Sequence, residues 1–396
     1  MTTIDSRSST KTIDSWGEFI RAPKPELERV GRHVRSLDLF GSVGGLSMGF
    51  TLGASDLGFS PRSGCAVDVD GEALMVHRTN HGTESTINTS VKSLVDFVVV
   101  GDADSAKFAY PPEIIESEFV VNDRRFDALL AGPPCQGHSN LNNHTRRDDP
   151  RNDLYVCVPA IAIALGIPIV VIENVQAVTH AKSDVVKTTM ALLQGAGYEF
   201  TEGVIDVSKL GWPQTRKRYF IVASLGRTPI PLKELSTELA HEAKSLRWLI
   251  DDLPRVEYSE TVDDYMLQLP RLSDENVGRI AFLDQEGEVN LPDHIRPDCH
   301  KDGHTYKSSY GRMAWDKPAQ TITTGFLTPG RGRFIHPEQS RVITPREAAR
   351  IQAFPDWYDF TLDGAAPTKA QLTKWIGDAV PAPMGYVAAL SALGAI

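Results

Sequence analysis

Between Val34 and about Leu225 the chain alternates short apolar runs with stretches of helical spacing. The apolar runs predict strands at Ser36–Phe40, Gly64–Asp68, Phe126–Ala131, Ile169–Ile172 and Arg218–Ala223. Helical spacing falls at Leu46–Leu57, Gly71–Asn80, Leu154–Leu165 and Asp184–Gly195. Such alternation predicts an α/β fold, a parallel sheet with helices on both faces. The longest apolar run, Val156 to Ile172, is broken by Pro159, Gly166 and Pro168. It falls short of the roughly 20 residues a membrane span needs and reads as a buried helix turning into a buried strand. Beyond Leu225 the periodicity weakens, and residues 226–340 are rich in Pro, Gly and charge. Thr321–Thr324 reads as a strand. Helical signal returns at Thr344–Gln352, where Thr344 suits the N-cap, Pro345 the first helical position and Glu347 a capping box. The pattern divides the chain into four parts. Residues 1–33 are a partly disordered extension, 34–227 an α/β domain, 228–366 an irregular domain ending in the late helix, and 367–396 a segment that returns to the first domain.

Composition refines this picture in three respects. Of the 396 residues, 41% are hydrophobic and 23% charged, which suits a folded globular chain and not a disordered one. Residues 1–15 are rich in Ser, Thr and Asp without an apolar core, so they read as neither signal peptide nor anchor. The cysteines Cys65, Cys135, Cys157 and Cys299 are scattered and form no C-x-x-C pair. That usage suits a reducing compartment, and a cytoplasmic location is expected. The net charge of −10 speaks against a polyanionic partner until its distribution is considered. Residues 234–298 hold 16 acidic and 6 basic side chains, whereas 301–350 hold 4 acidic and 9 basic ones. A basic segment next to an acidic one leaves room for a nucleic-acid surface.

Four stretches could carry chemistry. In Leu37–Gly49 a strand enters a glycine-rich turn and then a helix, and Gly41, Gly44 and Gly45 allow a ligand close to the backbone. The dinucleotide fingerprint G-x-G-x-x-G is absent. Asp68 ends the next strand, where an acid can accept from a ribose; an ordinary tight turn is the plain alternative. In Ala131-Gly-Pro-Pro-Cys135-Gln-Gly-His-Ser-Asn140 a thiol follows two prolines in a polar loop. The two buried-looking cysteines, Cys65 and Cys157, sit instead in apolar surroundings. Cys135 is a nucleophile candidate or an inert loop residue. Glu173 and Asn174 close the apolar strand Ile169–Ile172, where a carboxyl can protonate a ring nitrogen or simply cap a helix. In Gln214-Thr-Arg216-Lys-Arg218 the long polar side chains alternate and project to one face. Two guanidinium groups there suit phosphate or a base carbonyl, or are merely an exposed strand start. No H-x-x-x-H, H-E-x-x-H or C-x-x-C ligand set stands out, and no metal is expected.

In this order the stretches resemble the cytosine-C5 DNA methyltransferases. The first motif is similar to Asp38–Gly45, the catalytic Pro-Cys-Gln to Pro134-Cys135-Gln136, Glu-Asn-Val to Glu173–Val175, and Gln-x-Arg-x-Arg to Gln214–Arg218. A late motif resembles Arg341–Asp356, and the closing Gly-Asn-Ala-Val-Pro stands here as Gly377-Asp-Ala-Val-Pro381. The resemblance spans about residues 34–390. It implies a Rossmann-like class I methyltransferase sheet with a smaller target-recognition domain, S-adenosyl-L-methionine as methyl donor and double-stranded DNA as partner. It implies Cys135, Glu173, Arg216 and Arg218 as catalytic residues. It implies Phe40, Gly41, Gly45, Asp68, Val69, Pro134, Asp378, Ala379 and Val380 around the cofactor. Gln136, Ser139, Gln214, Arg312, Arg331 and Arg333 are the implied DNA contacts. A monomer on DNA is expected, and any cognate restriction endonuclease would be a separate protein. Three departures stand out: Gly41-Ser42 where a small residue followed by Gly is common, Asp378 for Asn, and His138 where Phe is frequent. Competing readings are an RNA-acting member of the family, a silent DNA- or cofactor-binding regulator and, more distantly, a nicotinamide oxidoreductase.

Overall fold

The computed structural model describes residues 13–394 apart from 27–30, 102, 118, 120–124, 135–152, 181–183, 259–261 and 302–307. Seven strands form the central sheet: β1 (His33–Leu39), β2 (Ser60–Asp68), β3 (Ser85–Asn88), β4 (Ala128–Ala131), β5 (Ile169–Asn174), β6 (Tyr198–Asp206) and β7 (Lys217–Leu225). Their spatial order is β6-β7-β5-β4-β1-β2-β3. The five strands from β5 to β3 in that order pair in parallel, as the alternating pattern predicts. The expectation of a wholly parallel sheet is corrected at the other edge, because β7 runs antiparallel to both β5 and β6. Only ten residues join β6 to β7, fewer than the dozen or more that a crossover between parallel strands requires.

Helices cover both faces. They are α1 (Ile13–Arg21), α2 (Gly45–Asp56), α3 (Gly71–His81), α4 (Asp153–Ala164) and α5 (Val185–Gly195), followed by α6 (Leu232–Glu238), α7 (Leu246–Ile250), α8 (Asp274–Glu286), α9 (Pro345–Ile351), α10 (Lys369–Asp378) and α11 (Ala382–Leu393). One apolar cluster lies between the sheet and α4–α5, around Leu37, Cys65, Val158, Ile161, Val170 and Ile221. The larger one lies on the opposite face and runs without a break from α1 through α2 and α11 to α9. Every residue of α11 is buried, so packing accounts for its apolar sequence. The extension contributes α1, whose Trp16, Phe19 and Ile20 are buried. A third, small cluster of Ile280, Leu283, Leu291 and Ile335 supports the region around α8.

The late helix forms as its sequence predicts, with a capping box between Thr344 and Glu347 and Pro345 in the first turn. Glu347 has a second duty: Arg341 Nη1 and Nη2 donate to its two oxygens at 2.8 and 2.7 Å, with both side chains at most 3% exposed. Removing one partner of a buried bidentate pair strands the other charge in a low-dielectric interior. Glu347→Ala is therefore expected to lower stability by about 3–5 kcal/mol, measured as a shift in urea denaturation midpoint. Arg341→Met with Glu347→Leu should recover most of that loss.

Candidate active site

A cavity of about 480 Å³ opens at the carboxyl ends of β1, β2, β4 and β5. That is where an open α/β sheet binds ligands, and the volume is in the range of small-molecule sites. Its first wall is the turn Phe40–Gly45. Phe40 and Ser42 hold φ of 56° and 43°, and Gly44 holds 86°. Left-handed backbone at two non-glycine residues is costly and persists where the surroundings enforce it. Gly41, by contrast, has no positive φ, and a Cβ on it would meet only ordinary contacts. The turn is held from the neighbouring strand: Gly41 N donates to Val67 O at 3.1 Å, and Ser42 N to Asp68 Oδ2 at 2.9 Å. Asp68 Oδ1 accepts from Asp70 N at 2.9 Å, so one carboxylate ties together the loops after β1 and β2. Beside it Val69 is 74% exposed, an apolar side chain standing open at the cavity edge.

The opposite wall comes from the C-terminal segment, at Gly377–Val380. Gly45 begins α2 against this wall, and a Cβ on it would lie 2.6 Å from Val380 O and 3.2 Å from Ala379 Cβ. Asp378 lines the cavity, with Lys374 Nζ 3.5 Å away and shared with Asp70 at 3.6 Å. Burial raises the Asp378 carboxyl, and Lys374 and Arg216 offset part of the rise.

At the mouth, β4 and β5 lie side by side with Ala131 opposite Ile172. Asn174 Nδ2 donates to Pro133 O at 3.1 Å, fastening the Gly132-Pro-Pro134 loop to the end of β5. Glu173 is 7% exposed and forms an ion pair with Arg218, whose Nε is 2.8 Å from Oε1. Burial raises the Glu173 carboxyl, while Arg218 and Arg216 pull it back down. Pro134 lines the cavity. The next residues, Cys135, Gln136 and Ser139, lie outside the described residues, as does His138.

The basic residues divide in a way that alternation along the strand did not indicate. Both arginines line the cavity, but Arg216 is 1% exposed and keeps its guanidinium within the fold. Its guanidinium donates to Ile322 O and Ala379 O, each at 2.9 Å, joining the irregular region to the cavity wall. Gln214 is fully buried, with Nε2 donating to Ile351 O at 2.7 Å and Gln352 Oε1 at 3.0 Å. Residues 214–215 form a separate two-residue pairing with 319–320, which turns Gln214 away from the face of Arg218. Arg312 is also interior, bonded to His336 O at 2.7 Å and ion-paired with Asp284. Gln214 and Arg312 thus both make their hydrogen bonds within the fold. Arg333 is partly exposed and donates to Val289 O and Arg312 O, whereas Arg331 is exposed.

The expectation that the histidines form no H-x-x-x-H pair is corrected at His77-Arg-Thr-Asn-His81, whose i, i+4 spacing lies on the predicted helix. His77 is fully buried and His81 half-buried behind the glycine turn, and a Cβ on Gly44 would collide with both rings. Among the described residues no group of three or more His, Cys, Asp or Glu is placed to hold a metal ion.

A sheet of this order, with a glycine turn, a strand-end acid and a cavity between them, makes an α/β small-molecule-binding domain. Solved structures agree on the fold. A prophage-encoded DNA modification methyltransferase of E. coli aligns with a TM-score of 0.55 at 23% identity, covering 90% of this chain and 97% of that one. The Dnmt2 methyltransferase of S. pombe aligns at 0.56 and 16% identity, covering 91% and 98%. The family described as C-5 cytosine-specific DNA methylase matches residues 34–391. The chain is 38% identical to the type II methyltransferase M1.BsuMI of Bacillus subtilis, over 96% of this chain and 84% of that protein. It is 30% identical to the type II methylase M.HgiDII of Herpetosiphon aurantiacus, over 90% and 94%. The chain belongs to the C-5 cytosine-specific DNA methylase family, and it is a DNA (cytosine-5-)-methyltransferase that uses S-adenosylmethionine.

Proposed function

We propose that the chain methylates a cytosine flipped out of a specific duplex sequence, through a covalent bond between Cys135 and C6. The observation that supports this most is the Glu173–Arg218 pair at the cavity mouth, next to the loop that leads into Cys135. C5 of cytosine is a weak nucleophile, and a thiolate adding at C6 pushes electron density onto it. Glu173, its acid form favoured by burial, holds the amino group and gives a proton to N3. Arg218 holds the O2 side and balances the developing negative charge. Arg216 acts beneath them by fixing the wall that carries Ala379. Bound S-adenosylmethionine supplies the electrophilic methyl group that C5 accepts. Loss of the C5 proton then expels the Cys135 thiolate. A stacked base cannot present C5 and C6 to these groups, so the base leaves the helix. Gln136 and Ser139 face the flipped nucleotide, and Arg331 with Arg333 meets the duplex.

The cavity residues fit the cofactor by type. Phe40 and the open side chain of Val69 offer apolar surface to a purine, and Asp68 stands where ribose hydroxyls can donate. Asp378 brings negative charge towards a cationic ligand, with Pro134, Gly41, Ala379 and Val380 completing the walls. Gly45→Ala is expected to raise the cofactor KM about tenfold or more, since overpacking costs about 1–3 kcal/mol and the obstructing atom is backbone. Steady-state kinetics with varied S-adenosylmethionine measure this.

The type II relatives favour a bacterial modification enzyme of the restriction–modification or solitary kind, acting in the cytoplasm as a monomer on DNA. Any cognate endonuclease is a separate protein. The experiment is transfer of labelled methyl from S-adenosylmethionine to mixed DNA and, in parallel, to tRNA. Label in DNA, with 5-methylcytosine at one sequence context after bisulfite sequencing of an expressing host, is the expected result. Label confined to tRNA, or none in either, overturns the reading.

A further inference from the structure

Beneath the glycine turn, where Asp38 and Ser47 line the floor of the cavity, lies a buried polar ring that the methylation chemistry above does not use. Asp38, on β1, is 1% exposed, and its Oδ1 has no hydrogen-bond partner. Its Oδ2 accepts from Ser36 Oγ at 3.2 Å and from Ser63 Oγ at 3.3 Å. His77, on α3, is fully buried, with Nε2 3.6 Å from Asp38 Oδ2 and 3.3 Å from Ser47 Oγ in the first turn of α2. Its Nδ1 is 2.8 Å from Thr83 Oγ1, which lies 3.0 Å from Ser63 Oγ and closes the ring. The ring therefore joins β1, β2, α2 and α3, the elements that anchor the turn.

The turn itself is tied to the same place. The His81 ring lies 4.6 Å from that of His77, tilted by 43°, and His81 Nε2 is 3.0 Å from Tyr358 Oη. Tyr358 in turn donates to Val43 O inside the turn. Burial pushes the Asp38 carboxyl up to about 7, against the three serine hydroxyls, and pushes the His77 imidazole down to about 4. Near neutrality His77 is uncharged while Asp38 is gaining its charge. The titratable groups facing Asp38 are His77 and, behind it, His81, both from α3. Lys24 stands near His81, α2 and β2 present Ser47 and Ser63, and the loop after α9 presents Tyr358. An ionised Asp38 lies beside the first turn of α2, where the helix dipole favours negative charge.

We propose that Asp38 and His77 are positioning residues that couple the charge of this ring to the shape of the glycine turn, so that S-adenosylmethionine affinity follows pH near neutrality. The inference rests on the reading of the cavity as the cofactor site. The cofactor carries a net positive charge, so its binding favours ionised Asp38 and releases the proton that Asp38 holds. By linkage, affinity rises as pH rises through the Asp38 titration.

Calorimetric titration of the full chain with S-adenosylmethionine tests this at pH 6 and 7, each in two buffers of different ionisation enthalpy. The cofactor's amino group, with its pKa near 8, stays largely charged in that range. The expected result is net proton release and a Kd that falls about three- to fivefold from pH 6 to 7. Asp38→Asn should abolish both, and raise the cofactor KM more than it lowers kcat. His77→Gln, if Asp38→Asn does not fold, should move the midpoint of the Kd profile by about half a pH unit or more. Absent proton release in the unaltered chain, an Asp38→Asn profile like that of the parent, or an unmoved midpoint in His77→Gln overturns the inference. Absence of binding at any pH instead overturns the cofactor reading beneath it.

Discussion

Cys135→Ala is expected to abolish methyl transfer, lowering kcat by about 10⁴-fold or more, as loss of a covalent nucleophile does. The size follows from what is left behind. Glu173 and Arg218 polarise the ring, and the cavity still holds the cofactor, but without an adduct C5 stays too poor a nucleophile to accept the methyl group. S-adenosylmethionine binding, read by calorimetry, should persist, because the substitution leaves the cavity walls at Phe40–Gly45, Asp68 and Asp378–Val380 unchanged. DNA carrying 5-fluorocytosine at the target position gives a second readout. Fluorine cannot leave as a proton does, so the parent enzyme should form a denaturant-stable adduct with that DNA. Its persistence in Cys135→Ala would assign the nucleophile elsewhere, and its absence from the parent on a proven target would remove the covalent mechanism. Cys135→Ser keeps the geometry but replaces a thiol of pKa around 8.5 with a far less acidic hydroxyl, so it should fall close to the alanine variant.

The elements most readable from the sequence were those with a strong local signal. Strands β4, β5 and β7 carry unbroken apolar runs, β1 and β2 shorter apolar stretches, and the capping box of α9 is written in Thr344, Pro345 and Glu347. Strand direction was not legible, because a buried run reads alike both ways. The antiparallel course of β7 follows from the short link after β6, a half-exposed strand whose Glu199, Glu202 and Gly203 blur its apolar pattern. The placement of Glu173 beside Arg218 follows from motif order and strand ends, and the structure brings them together. The interior destinations of Gln214, Arg216 and Arg312 do not follow. An arginine that satisfies distant carbonyls, such as those of Ile322 and Ala379, has the same local sequence as one that meets a phosphate. His77 and Asp38 are likewise joined only by the packing of α3 on β1.

Glu173→Gln separates charge from shape at the site, and it is expected to lower kcat by about 10²–10³-fold, within the range for loss of a general acid. Glutamine keeps the volume and can still hold the amino group of cytosine, but it cannot deliver a proton to N3. The pH dependence tests that role directly. Burial raises the Glu173 carboxyl above the usual carboxylate range, with Arg218 and Arg216 opposing. Its acid form is therefore more populated at low pH and is lost as pH rises through the raised value. Single-turnover methyl transfer by the parent should show a falling limb there, whereas the residual rate of Glu173→Gln should rise monotonically with ionisation of Cys135. Removing the carboxylate also frees Arg218, which keeps only its bond to Lys217 O among the protein groups described. Arg218→Lys should thus be less damaging when combined with Glu173→Gln than alone, because the ion pair that it would weaken is already gone. Equal losses in both backgrounds would show that the two side chains act independently, and a parent profile without the falling limb would remove Glu173 as the proton donor.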